Sequence, residues 1–131
     1  MAVKGLVGGT SMPVTIVQGA ADTPVDATNP LSVSHGQTFT AIADNRKVIA
    51  AAGTAETLAA TTACKEVTLT AMLANTGIVV VGGSTVVAAQ STRRGTPLAA
   101  GDSYTLTIDD LVKIYLDVTV SGEGVVYSYL L

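Results

Sequence analysis

Lys65-Glu-Val-Thr-Leu-Thr-Ala-Met72, then Asn75-Thr-Gly77, then Gly77-Ile-Val-Val-Val-Gly-Gly83 follow one another near the middle of the chain and set its class. Val67, Leu69 and Ala71 alternate with Glu66, Thr68 and Thr70, the period of a strand with one buried face. Asn-Thr-Gly is a tight-turn signal, so the two runs are predicted to form a hairpin. The same grammar returns in Ser103 to Ile108, Asp109-Asp110, Lys113 to Thr119, Ser121-Gly-Glu-Gly124 and Val125 to Leu131. Short strands separated by Gly, Asn and Asp turns, with no convincing helix between them, predict an all-β fold. The expected form is an antiparallel β-sandwich or a jelly-roll-like barrel with an extended N-terminal arm.

Period-two alternation assigns the faces. Val67, Leu69 and Ala71, then Ile78 and Val80, then Tyr104, Leu106 and Ile108, then Ile114, Leu116 and Val118 are the expected core. Thr68, Thr70, Thr105 and Thr107, with Lys113, Tyr115 and Asp117, fall on the wet side. Val125 to Leu131 is apolar enough to require burial on both faces or cover from another chain, because an uncharged edge strand invites association.

Moving toward the amino end, Lys47 to Ala52 and Glu56 to Ala60 are predicted as short strands around a Gly53 turn. A short helix capped by Asp44 is the competing assignment, and it would barely reach two turns. Met1 to Asn45 differs: it is rich in Gly, Thr, Pro, Asp and Asn, with Pro13, Pro24 and Pro30 as punctuation. The expected division is therefore an arm over 1–45 and a sandwich over 46–131. Val14 and Ile16, and Leu31 and Val33, alternate with polar neighbours and are the candidate partner-binding positions of the arm. Such a composition fits a tail without structure of its own, or an arm that orders by adding strands to a neighbour's sheet.

Composition narrows the function classes. The 131 residues are 48% hydrophobic, but aromatics are only 4%, so the core must be built from small aliphatic side chains. Charged residues make up only 13% and the formal net charge is −3. This gives no concentrated positive surface for nucleic acid or an anionic membrane, and no apolar run approaches the length of a membrane-spanning helix. A chain with so few charges is expected to cover part of its surface with partners. The single cysteine excludes an intrachain disulfide, and folding in a cytoplasm is expected.

Catalytic chemistry finds little purchase. His35, in Ser34-His-Gly36, has no marked nucleophile or carboxylate beside it and is expected in a solvent-facing turn. Cys64 is expected to be a small buried hydrophobe, although Lys65 beside it would lower its pKa slightly. One Cys and one His do not supply a zinc site. Asp102, Asp109 and Asp110 stand where turns are expected, and a glycosidase pair would need the sugar-stacking aromatics this chain lacks. Gly82-Gly83-Ser84-Thr85 has no lysine or following helix to make a phosphate loop. Arg93-Arg94 is a basic cluster in a loop between strands and the candidate polar contact for an acidic patch on a partner. No enzyme activity, catalytic residue, metal or cofactor is expected.

The succession Cys64 to Ala71, Asn75-Thr-Gly77, Val80-Val-Gly-Gly83, Pro97-Leu-Ala-Ala-Gly-Asp102, Asp109, Lys113 to Asp117 and Gly122 to Tyr127 resembles the β-sandwich module of small virion proteins of tailed bacteriophages. These are head decoration or cement proteins, head fibres, and neck or tail accessories. The resemblance covers the second half of the chain. It implies a structural role in the virion, with the amino-terminal segment anchored to the shell or to a neighbouring subunit. The implied partner is the major capsid protein or another virion protein. The implied assembly is a homo-oligomer, a trimer being the form considered, and the implied location is the virion, assembled in the host cytoplasm.

Overall fold

The computed structural model describes residues 38–131 together with Val17–Gln18 and Thr23–Pro24. Val14, Ile16, Leu31, Val33 and His35 lie outside the described residues. In the amino-terminal unit, Met1–Gly36, β1 (Val17–Gln18) pairs antiparallel with β2 (Thr23–Pro24). The second unit, Gln37–Leu131, carries β3 (Ile42–Val48), β4 (Glu56–Thr57), β5 (Glu66–Ala71), β6 (Val79–Gly82), β7 (Thr96–Leu98), β8 (Ser103–Thr107), β9 (Tyr115–Val118) and β10 (Gly124–Leu130). A 3-10 turn, Leu111–Lys113, precedes β9, with the Asp110 side chain accepting from the Val112 amide at its start.

The strands form two antiparallel four-stranded sheets, β3-β10-β5-β8 and β4-β9-β6-β7. Their connectivity is that of a jelly roll. β3 pairs with β10, β4 with β9, β5 with β8 and β6 with β7, as though one long hairpin closing between β6 and β7 had been rolled up. The rolling adds the β10–β5 and β9–β6 ladders, which join the halves within each sheet.

This connectivity corrects the hairpin expected around Asn75-Thr-Gly77. β5 and β6 do not pair; they stand in opposite sheets, and residues 72–78 arch between them. The side chains explain the choice. Val67, Leu69 and Ala71 from β5 and Val79 and Val81 from β6 enter one core from its two sides, which a flat hairpin would not permit. The arch is fastened to the start of β10: buried Asn75 donates from Nδ2 to the Gly124 carbonyl at 2.8 Å, and the Met72 amide donates to the same oxygen at 3.1 Å.

Leu116 and Val118 from β9, Val125 and Tyr127 from β10, and Leu58, Leu111 and Ile114 from the connections complete the core. Each such aliphatic side chain contributes about 1.5–3 kcal/mol by leaving water. Tyr104, Leu106 and Ile108 pack against it at its margin. The β6 assignment shifts by one residue: Val79 and Val81 face the main core, while Val80 turns outward into a smaller cluster with Val86 and Ala88. That cluster exists because residues 83–95 fold back over the outer face of β6 and β9, held by paired backbone bonds between Val87 and Arg94. Asp117, expected on the wet side, lies under the same cover and is only 1% exposed.

β3 begins at Ile42, so the sandwich takes in residues assigned from sequence to the arm. It runs through Asp44 as a strand, not as a helix cap, and the predicted turn follows at Gly53, whose φ of 79° is the left-handed geometry that glycine tolerates. β3 also answers the question raised by Val125 to Leu131. β10 is a central strand, paired on one edge with β3 and on the other with β5, so it is no open edge; Val125 and Tyr127 on its inner face are buried, while Val126 on its outer face is exposed.

Candidate interaction surface

The two sheets differ in what lies on their outer faces. That of β4-β9-β6-β7 is covered by the chain's own 83–95 loop, whereas no other described residues cover that of β3-β10-β5-β8. On the open face the strand register sets hydroxyls opposite one another. Thr68 Oγ1 and Thr105 Oγ1 are 2.8 Å apart, and Thr70 Oγ1 and Ser103 Oγ are 2.7 Å apart. These cross-strand pairs satisfy each other and stiffen the β5–β8 half of the face. Along the β3 side Ile42 is 69% and Val126 44% exposed, and the exposed charges of Asp44 and Arg46 stand on the same face between Ile42 and Val48. At one end of the sandwich, Leu73 is 85% exposed next to Met72 and Ala74, in the arch. Solvent-facing aliphatic side chains of this size on a rigid face mark a surface suited to a partner.

Arg93 and Arg94 separate in role. Arg93 is half-buried, and its Nε donates to the Ala88 carbonyl at 3.1 Å, so it helps to hold the covering loop. Arg94 is exposed while its backbone pairs with Val87. Arg94 is the more exposed of the two.

The remaining polar groups are engaged in structure. Cys64 is buried, its Sγ donating to the Ile108 carbonyl at 3.2 Å. Burial, and after it the carboxylates of Asp110 and Asp109, push its thiol pKa up, contrary to the lowering expected from Lys65. The Lys65 ammonium lies instead over the Phe39 ring. Asp109 pairs with Lys113 at 2.7 Å, Asp110 also accepts from the Thr62 amide, and Asp102 accepts from the Ala99 amide. Among the described residues no group of three or more His, Cys, Asp or Glu side chains is placed to hold a metal ion.

Two carboxylates, Asp117, expected on the wet side, and Glu123, in the Ser121-Gly-Glu-Gly124 turn, accept from two or more backbone amides each. Asp117 accepts from the amides of Gly53 at 2.9 Å, Ala88 at 2.7 Å and Val118 at 2.8 Å. It ties the Gly53 turn and the covering loop to β9. Glu123 grips the arch: its carboxylate accepts from the Thr76 amide, the Thr76 hydroxyl at 2.8 Å and the Gly77 amide at 2.9 Å. The available signals were indirect. Val86, Val87 and Ala88 beyond Gly82-Gly83 are an apolar run that needs something to cover, and what they cover is the outer face of β9.

Burial pushes the Glu123 carboxyl up, but the Thr76 and Gly77 amides and the Thr76 hydroxyl together outweigh it and hold its pKa below the ordinary glutamate value. The unfolded chain therefore takes up this proton at a higher pH than the folded one. The stabilisation is fully present above the ordinary glutamate pKa and is lost as pH falls through the lower folded value. Glu123→Gln is expected to lose about 1–2 kcal/mol at pH 7, and the difference from wild type should shrink on acidification. Denaturant unfolding of both proteins from pH 7 down to pH 3 measures this. A gap that stays constant over that range would deny Glu123 the role.

No family model, curated protein or solved structure matches this chain.

Proposed function

We propose that the protein is a structural component of a tailed-phage virion, and specifically a capsid decoration protein that binds the head shell and stabilises it by bridging neighbouring major capsid proteins. The observation that carries this is the asymmetry of the jelly roll. One sheet is covered by the chain's own loop, while the other, among the described residues, leaves open a face with paired hydroxyls, exposed Ile42, Val48 and Val126, and the charges of Asp44 and Arg46. Jelly rolls recur in viral capsid proteins and in lectins, and the fold alone does not choose between them. The low charge content and the separate amino-terminal segment favour assembly, since both suit a chain that covers apolar surface with partners. In this role Val14, Ile16, Leu31 and Val33 anchor to the shell or to a neighbouring subunit, and Arg94 meets an acidic patch on the partner. The alternative is a neck, tail or fibre accessory, for which the lectin-like use of the same open face would supply host-glycan binding.

The test is a particle-binding assay on phage heads assembled without this protein. Full-length chain should bind saturably, at a stoichiometry matching capsid lattice sites. Ile16→Asp combined with Val33→Asp should cut occupancy about tenfold, the effect of about 1.4 kcal/mol, while leaving thermal unfolding of the sandwich unchanged. Unchanged occupancy would sink the arm as anchor. Absence of binding to heads, with retention on a glycan array, would move the protein to the fibre or tail role.

A further inference from the structure

The four sheet edges are not alike. β4 has two residues, β7 has three including Pro97, and β8 has five; β3 has seven and is the longest edge strand of the sandwich. Among the described residues nothing pairs with its outer edge. Long edges are a liability unless something occupies them or guards them. The obvious guard, Lys47, is turned away from this duty, since its Nζ is held by Glu56 at 2.7 Å.

The sequence of β3 is self-complementary. Ile42, Asp44, Arg46 and Val48 share the outer face, opposite Leu130, Ser128, Val126 and Gly124 of β10. Neither Asp44 nor Arg46 forms an ion pair among the described residues. If a second β3 runs antiparallel to the first about a two-fold axis at Asn45, Ile42 stands opposite Val48 of the second copy, and Asp44 opposite its Arg46. Both apolar pairs and both ion pairs then form at once on the same face. The backbone parity agrees. The Ile49 amide and carbonyl bond toward β10, so in an antiparallel ladder the even-numbered residues of β3 direct theirs to the free edge. Consistent with this, the Arg46 amide is not given to β10 and is taken up by its neighbour's Asn45 Oδ1 at 2.8 Å. The residues that carry the matching side chains are thus the ones whose backbone groups are available to bond across the axis.

We infer that the β3 edge binds the β3 edge of a second copy of this chain, in the register centred on Asn45, joining two four-stranded sheets into one continuous sheet. The contact is isologous, so it closes as a pair and does not propagate. Pairing displaces the Asn45 side chain from the Arg46 amide and replaces that local bond with a ladder bond. The occupant is specified by charge order: an antiparallel strand with Asp and Arg exchanged in position relative to β3, which β3 itself supplies. The inference goes beyond the virion role and stands whether or not that role holds.

Sedimentation velocity on the full chain over a range of about 1 μM to 1 mM tests it. Wild type is expected to dimerise. Arg46→Asp places carboxylates opposite each other twice, and Asp44→Arg does the same with guanidinium groups, so each single variant should dimerise about tenfold or more weakly. Mixed, the two single variants should form a heterodimer, and Asp44→Arg combined with Arg46→Asp should restore the homodimer. Both positions are exposed, so melting temperatures measured at concentrations below the dimerisation range are expected to match wild type and serve as the folding control. Asn45→Cys should cross-link to itself on oxidation, because a directly opposed, non-hydrogen-bonded pair lies about 4.5 Å apart at Cα, within disulfide range. A monomeric wild type, a trimer or dimer indifferent to the charge substitutions, or a dimer in which Asn45→Cys fails to cross-link would each overturn the proposal.

Discussion

Asp117→Ala is expected to cost about 4 kcal/mol of stability and to lower the melting temperature by roughly 20 °C, the largest effect of any exposed-to-solvent or buried polar position in the sandwich. Three backbone amides, those of Gly53, Ala88 and Val118, lose their acceptor together. Each lies where the chain is not otherwise in a ladder or is leaving one, and Asp117 itself is almost fully buried. Water can reach the vacated space only if the 83–95 loop lifts. Lifting it exposes Val80, Val86 and Ala88, the smaller apolar cluster. Asp117→Asn separates the two contributions. Its one amide oxygen can keep the Gly53 and Val118 bonds, but its NH2 then faces the Ala88 amide, donor against donor, so about 2 kcal/mol is expected. Thermal and denaturant unfolding of the three proteins give the order wild type, Asn, Ala. If Asn proved as damaging as Ala, the carboxylate would be acting through its charge and not as a shared acceptor.

That carboxylate also marks the limit of what was legible in the sequence. Period-two alternation correctly gave Val67, Leu69 and Ala71, and Ile114, Leu116 and Val118, their inward face, because those strands are flanked on one side by the core. By the same rule Asp117 belongs outside, and it does point outward from the sheet; what alternation cannot contain is the loop that later folds over it. Ile78 and Val80 were displaced by one residue for the same reason. A run buried on both faces has no period to read. The hairpin at Asn75-Thr-Gly77 failed differently: turn chemistry specifies that the chain reverses, but the side chains of Asn75 and Glu123 decide that it reverses between sheets. β3 is not legible before Arg46 because an edge strand is exposed on most of its surface, and Ile-Ala-Asp-Asn-Arg-Lys-Val carries too few buried positions to show alternation. The candidate surface was legible only as a deficit, in the scarcity of charge. Its location required knowing which sheet the chain covers for itself.

Gly124→Ala tests the junction on which both the arch and the β3 edge depend. A methyl group built on Gly124 would run into the backbone of β3, at the Lys47 carbonyl oxygen and at Val48 Cα. Neither is the end of a flexible side chain, so relief requires the two strands to part. They cannot part cheaply in either direction. If β10 retreats, the Gly124 carbonyl leaves the Asn75 side chain and the Met72 amide, and the arch that carries the chain between sheets is loosened. If β3 retreats, the last pairing of its ladder opens, together with the Ile49 amide bond to the Glu123 carbonyl and the Gly122 amide bond to Ile49. About 3 kcal/mol is expected, in the upper range for overpacking because the obstacle is main chain. β3 makes ladder bonds on one side only, whereas β10 is held on both, so β3 is the strand expected to move. Amide exchange should therefore quicken along 42–49 well before it does along β5 and β8. Dimerisation through β3 should weaken in the same variant even though Ile42, Asp44, Arg46 and Val48 are untouched. Protection along β3 equal to that of wild type would show that the close approach is accommodated without strand movement. In that case the edge and the arch are independent of each other.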